Sequence, residues 1–214
     1  MNYFAHGRRF VDDPYFLAGT AVPDWLNVVD RRLRVRAGQA RLHVDSSNER
    51  IARVAAGIVQ HCDDDQWFHG TRAFAELSLE LCQMLRDRLP ADDGFRPHFL
   101  GHILVEILLD AVLIAHEPRR LDEYYAAFDN LDGQSVEDAV SAISPRPATN
   151  LATFIGLFSR ERFLFDYLDD GKLLFRLNQV MRRVGLPLLP RDIEDTLAIA
   201  REKVARRKDE LLAA

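Results

Sequence analysis

The stretch Phe99-Leu-Gly-His-Ile-Leu-Val-Glu-Ile-Leu-Leu-Asp-Ala-Val-Leu-Ile-Ala115 decides how the rest of the chain is read. It is almost continuously apolar, which by itself suggests a membrane span or a fully buried helix. Three residues interrupt it: His102, Glu106 and Asp110, each four positions after the last. Four residues turn a helix by about 400°, so each member lies about 40° from its neighbour and the three form one polar stripe. Two acids and a histidine facing lipid are very costly, so no membrane span is expected. The stripe reads instead as one face of a core helix that meets something able to stabilise it, and a bound metal ion is the leading candidate.

A second stripe lies upstream. His61-Cys-Asp-Asp-Asp-Gln-Trp-Phe-His69 sets His61, Asp65 and His69 at the same four-residue spacing. Two such helices face to face would form a nitrogen and oxygen cage of the kind helical bundles build. Its ligands suit a divalent ion such as Mn, Fe or Zn, and no thiolate signature is present. Residues eight apart on a helix are separated by about 12 Å along its axis, so one ion takes an i,i+4 pair and not all three members. Either two ions bind, or the outer members act as hydrogen-bond partners and acid/base groups. On the later helix Asp110 ranks first as a ligand, Glu106 second and His102 last. His6, in an apolar-aromatic opening, and Asp24, after Pro23, are candidates to complete the site.

Bulk properties bound the alternatives. The 214 residues suffice for one large domain or at most two small ones, and 48% hydrophobic with 29% charged residues supply a sizeable core under a solvated surface. A formal charge of -5 exerts no global pull toward nucleic acid or anionic membrane, which leaves room only for local basic patches, and no nucleic acid partner is expected. No cationic segment leads into an apolar run at the start, so no signal peptide is expected. Cys62 and Cys82 lack C-x-x-C spacing and read as reduced core or boundary residues of a cytoplasmic protein.

Along the chain, helical periodicity dominates. Asp13-Pro14 predicts a helix start, and Pro23-Asp-Trp25 predicts a break before a helical run from Trp25 to Arg36, whose Arg31, Arg32, Arg34 and Arg36 read as a solvated face near its C-terminus. Residues 37–47 read as a loop, and Ser46-Ser-Asn-Glu49 has the spacing of a capping box for the next helix. Gly70 separates that helix from Thr71–Leu89, residues 90–94 read as a loop, and Pro97 leads into the striped helix. Further helices are predicted over Arg119–Asp129, Gly133–Ile143, Asn150–Leu168, Lys172–Val184 and Asp192–Leu212, with Gly185 as a stop and Ser144–Pro147 as a linker. With no convincing strand or repeat, the chain is expected to be all-α, a single-domain helical bundle over 1–214.

Several of these pieces resemble a known family. Met1-Asn-Tyr-Phe-Ala-His6, Leu17-Ala-Gly-Thr-Ala-Val-Pro-Asp24, Gly57-Ile-Val-Gln-His61 with Asp65, the Glu106/Asp110 pair and, more weakly, Phe163-Leu-Phe-Asp-Tyr167 through Arg182-Arg183 resemble the acyl carrier protein phosphodiesterase family. That resemblance implies an all-α fold of the HD-domain-like metal phosphohydrolases. It also implies a divalent metal, and cleavage of a phosphodiester that releases phosphopantetheine from acyl carrier protein. The chain departs from the family pattern at Ala111, where the family has His, at His69, where it has an acid, and at Glu106, where it has Asp; His102, one turn before Glu106, is the candidate to substitute spatially for the missing His. Phe16–Asp24 also resembles the Gly-x-x-x-Pro-Asp signature of zinc-dependent phospholipase C-like proteins, which likewise hydrolyse phosphodiesters with metal.

The mechanism these residues suggest is metal-dependent phosphodiester hydrolysis. A metal would polarise a phosphoryl oxygen and lower the pKa of a bound water, and whichever of Asp65 and Asp110 is not fully committed to metal would take its proton. Arg8, Arg119 and Arg162 are candidates to hold the phosphate oxygens. The competing reading is a non-catalytic α-helical interaction protein whose buried His/acid stripes are structural. A di-iron carboxylate protein is disfavoured because no Glu-x-x-His pair occurs.

Overall fold

A computed structural model describes residues 1–90 and 94–213. The secondary structure of the described residues is helical, with no strand, so the fold is all-α. The helices are α1 (Tyr3–Gly7), α2 (Pro14–Val29), α3 (Ala37–Arg41), α4 (Glu49–His69), α5 (Arg72–Arg88), α6 (Pro97–His116), α7 (Pro118–Asp129), α8 (Gly133–Ile143), α9 (Leu151–Glu161), α10 (Asp170–Val184), α11 (Glu194–Arg206) and α12 (Lys208–Leu212). Short 3-10 turns cover Phe163–Leu168 and Arg191–Ile193. The loop expected over 90–94 falls largely on residues 91–93, outside the described residues.

Most predicted boundaries match where local chemistry sets them. Asp13 caps α2 by accepting from the Phe16 amide at 3.0 Å, with Pro14 in the first turn. Asn48, two residues beyond the Ser46 expected to cap it, starts α4 by accepting from the Arg50 and Ile51 amides. Thr71 caps α5 after the Gly70 interruption, and Gly185, at φ 73, ends α10.

Five expectations are corrected. Pro23 does not break α2, which runs through it to Val29. An internal proline costs about 3 kcal/mol. Burial of Leu17, Val22, Trp25 and Leu26 on that helix, about 1.5–3 kcal/mol for each such side chain, outweighs it. The run Trp25–Arg36 is not one helix: Asp30 takes an extended conformation, and its side chain accepts from the Arg32 amide at 2.9 Å, a local turn that ends α2. Beyond it, Leu33 and Val35 are buried while Arg32, Arg34 and Arg36 are exposed, the period of two of an extended segment rather than a helix face. Those three arginines, with Gln39 and Pro145, line a cleft of about 460 Å³. Part of the expected loop 37–47 is α3, started where the Gln39 side chain accepts from the Arg36 amide at 3.1 Å. Near the C-terminus, Arg162 takes a left-handed backbone (φ 45) that ends α9 early, and Arg207 divides α11 from α12.

The described residues form two compact units, each assembled from separate stretches of the chain. One comprises Met1–Asn2, Trp67–His116 and Phe163–Ala214; the other comprises Tyr3–Gln66 and Glu117–Arg162.

In the Tyr3–Gln66/Glu117–Arg162 unit, an aromatic core forms around Trp25, which is fully buried and meets Phe128 and Phe158 edge-on at 5.4 and 5.3 Å. Helices α2 and α4 touch backbone to backbone at Gly19 and Gly57. A Cβ on Gly19 would collide with the Val54 carbonyl oxygen and lie 2.8 Å from the Gly57 Cα. Only glycine permits that approach, and it brings the middle of α2 against the middle of α4.

In the other unit, α6 is the central element. It packs on α5, α11 and the 163–168 turn, and Leu104, Leu108, Leu109 and Ile114 are almost wholly buried. By length and composition α6 could cross a membrane, and 67% of its apolar stretch is buried inside the protein. A Cβ on Gly101 would lie 2.5 Å from the Ser78 carbonyl oxygen and 2.9 Å from the Cys82 amide nitrogen, so α5 and α6 also meet with no side chain between them. Arg207 to Glu76 (2.8 Å) and Arg201 to Asp170 (2.5 Å) fasten α11 and its C-terminal end to α5 and α10.

Candidate metal centres

Among the described residues, two groups of ligand-type side chains converge: His6, His61 and Asp65, and His69, His102 and Glu106. Each lies within one unit. Within each group the ligand atoms lie within 4.8 Å of one another. The single cage read from the two stripes is thus sorted differently: His69 joins the His102–Glu106 pair, and the N-terminal His6 joins His61 and Asp65.

The His6 centre is built by the α2–α4 glycine contact and by α1. Gly7 lets α1 settle on the core, since a Cβ there would lie 2.6 Å from both Leu17 and Tyr124. His6 is completely buried, and its ring stacks on that of His61 at 4.1 Å. Its Nδ1 is 3.3 Å from Asp64 Oδ2, and its Nε2 is 3.2 Å from Asp65 Oδ1. His61, one turn before Asp65, is 2.8 Å through Nδ1 from the Thr20 carbonyl oxygen, which α2 presents across the Gly19–Gly57 crossing. Its Nε2 is 3.5 Å from Asp65 Oδ2. Both Nδ1 atoms are thus tied, one by a carboxylate and one by a backbone carbonyl, and both Nε2 atoms face the same carboxylate.

The electrostatics of this centre are strongly perturbed. Burial works against a charge on His6, but hydrogen bonds to Asp64 and Asp65 outweigh it and raise the ring to about 9. His61 is pushed down to about 3, first by burial and then by the charge on His6. Burial works to raise Asp65, and its hydrogen bond with His6 and the charge of the imidazoles hold it well below the usual carboxylate range instead. Two carboxylates thus face a single imidazolium charge, and a divalent cation would neutralise both. Metal bonds of about 2.1 Å put neighbouring ligand atoms about 3.0–3.4 Å apart in octahedral or tetrahedral sites. The separations of 3.2 and 3.5 Å match that spacing, so the residues fit an ion. The Asp65 side chain keeps 31% of its surface exposed, giving the centre an opening.

The second centre combines the last residue of α4 with a turn of α6. His69 Nε2 is 2.7 Å and His102 Nε2 3.3 Å from the same Glu106 Oε1. The amino group of Met1 is 3.4 Å from that oxygen. Burial works to raise Glu106, but hydrogen bonds from His102 and His69 prevail and hold it at about 2.

The remaining candidates lie elsewhere. Asp110 is fully buried and belongs to neither group, although it ranked first from sequence. Asp24 is half-buried on α2, one turn after Thr20, and also lies in neither group. Arg8 is bound to Glu117 at 2.6 Å; Arg162 lies over the Tyr125 ring and pairs with Asp129 at 3.4 Å; Arg119 is exposed at the start of α7. Two contributors escaped sequence reading. Asp64 is one of three consecutive acids, and only its position three residues after His61 hints that it shares that face. The Thr20 carbonyl is backbone and leaves no mark in the sequence.

Compared with protein families, with curated proteins and with solved structures, the chain matches none.

Proposed function

We propose that the protein is a metal-dependent phosphoric diester hydrolase of the HD-domain-like kind, with His6, His61 and Asp65 holding its divalent ion. The observation that carries this reading is the orientation of the two histidines. Each Nδ1 is tied to an oxygen, Asp64 for His6 and the Thr20 carbonyl for His61, while the two Nε2 atoms lie 3.2 and 3.5 Å from Asp65. That is how metal-bound imidazoles are held in place, the outer partner fixing tautomer and ring angle. The motifs at Met1–His6, Leu17–Asp24 and Gly57–Asp65 add the resemblance to acyl carrier protein phosphodiesterases, and with it a phosphopantetheinyl phosphodiester as substrate class.

A divalent ion there would supply Lewis-acid charge to a phosphoryl oxygen and to the attacking water. The protein's own part is positional. Asp64 and Thr20 orient the rings, the Gly19–Gly57 contact sets their distance, and the exposed edge of Asp65 is where substrate and water meet the centre. Of the two carboxylates read as acid/base candidates, Asp65 reaches solvent and Asp110 does not, which favours Asp65 as the group that would take the proton from water.

Elemental analysis of the purified full chain, paired with hydrolysis of bis(p-nitrophenyl) phosphate in added Mn²⁺ or Zn²⁺, tests the reading. Bound metal and turnover, both lost in Asp65→Asn with the helical signal kept, are expected; absence of both in the parent protein overturns it. Release of phosphopantetheine from a holo carrier protein, read by mass, tests the substrate class separately.

A second reading draws on the same centre. A protonated His6 bridging Asp64 and Asp65 satisfies the buried acids without metal, as expected of a non-catalytic helical interaction protein. It predicts no bound metal and no turnover.

A further inference from the structure

The second cluster of His69, His102 and Glu106 has its own architecture and its own exposure. Gly70 and Thr71 terminate α4, with Thr71 donating through Oγ1 to the Phe68 carbonyl and accepting from the Phe74 amide, so His69 leaves the helix end beside Phe74. The α5–α6 contact at Gly101 sets the adjacent His102 on the same side. The buried Phe74 ring packs against both imidazoles, at 4.8 Å from His69 and edge-on at 4.9 Å from His102. The two imidazoles lie 4.8 Å apart and are inclined at 37°, so they converge instead of stacking flat.

Both Nε2 atoms aim at one carboxylate oxygen, at 2.7 and 3.3 Å. These lengths are near the distances of about 3.0–3.4 Å between neighbouring ligand atoms around a metal with bonds of about 2.1 Å. A small inward rotation of the Glu106 carboxylate would let an ion sit between the three atoms. Side-chain exposures of 32% for His69 and 44% for His102, against 17% for Glu106, leave the solvent face free for water or a ligand.

We infer that His69, His102 and Glu106 form a second, solvent-open site for a borderline divalent ion such as Zn²⁺ or Co²⁺, distinct in residues from the His6 centre. Two imidazoles and one carboxylate select such ions over Mg²⁺ and Ca²⁺, which take oxygen ligands. Three protein ligands leave at least one coordination position open, the pattern of reactive rather than purely structural zinc sites. The inference does not depend on phosphodiester hydrolysis, because no residue is shared between the two triads.

Equilibrium dialysis of the chelator-treated full chain against Co²⁺ and Zn²⁺, read by elemental analysis and by the Co²⁺ visible spectrum, tests it. His61→Ala, which disrupts the other centre, should retain one equivalent of ion. Adding His102→Ala or Glu106→Gln should weaken that remaining ion by at least about tenfold, since loss even of an outer partner costs 10–100-fold. His102 is half-exposed and Glu106→Gln keeps the shape of the side chain, so an unchanged circular dichroism spectrum is expected in both. An unaltered affinity in both double variants, or complete loss of ion binding in His61→Ala alone, overturns the inference. So does an absence of Zn²⁺ and Co²⁺ binding in the parent chain.

Discussion

At the scale of single residues, the His6 centre rests on partners that hold the rings rather than on the three ligands alone. Asp64→Asn keeps the side-chain volume but removes the carboxylate that fixes His6 Nδ1 at 3.3 Å. We expect it to weaken metal binding roughly 10–100-fold while leaving His61 and Asp65 in place, measured by competition with a metal indicator. The centre also sets a pH profile for the metal-stripped protein. The folded-state value of His6, about 9, lies above the ordinary 6.5, so its stabilisation is complete below about pH 6.5 and is lost as pH rises through 9. His61 is held down at about 3, so below pH 6.5 the unfolded chain takes up a proton that the folded one refuses, and stability falls as pH falls. The two slopes have opposite signs and place maximum stability near neutrality. Thermal melts of chelator-treated protein at pH 5, 6.5 and 9 should show the highest midpoint in the middle; a midpoint still rising at pH 9 would contradict the assignment of His6.

At the scale of the element, helix contacts made by glycine carry the geometry. Gly57→Ala would drive a methyl group into the Phe16 carbonyl and the Gly19 backbone, neither of which is a flexible side chain. We expect a loss of stability of about 1–3 kcal/mol or more, together with weaker metal binding because Thr20 is displaced from His61. Gly156→Ala, within α9 and with nothing inside 4 Å of the added carbon, should instead be neutral or stabilising by up to about 1 kcal/mol. Urea unfolding of the two variants separates the effects. Reading elements from sequence succeeded where a local signal controls the boundary: Asp13-Pro14, Thr71 and Gly185 each stop or start a helix by chemistry confined to a few residues. It failed at Pro23, where burial around Trp25 overrides the local cost, and at Asp30–Arg36, where the alternation of Leu33 and Val35 with arginines was masked by the helix before it.

At the scale of the whole molecule, an ion that binds only the folded chain adds its binding free energy to stability. At a concentration one hundred times its dissociation constant, the gain is about 2.7 kcal/mol. For a chain of this size that is a rise in melting midpoint of roughly 5–10 °C. Addition of Zn²⁺ or Mn²⁺ to chelator-treated protein should produce it and excess chelator should reverse it; a midpoint indifferent to both would favour the proton-bridged network over a metal centre.

The sequence alone determined the all-α class, because helical periodicity and capping residues act over a few positions and recur along the chain. It also exposed the two His/acid stripes, since an i,i+4 spacing places side chains on one helix face whatever surrounds them. Only the tertiary structure decided which stripe residues meet. His6 reaches Asp65 across 59 positions and His69 reaches Glu106 across 37, and contacts that distant depend on how helices cross. Those crossings are set by Gly19, Gly57 and Gly101, whose contribution is the side chain they lack.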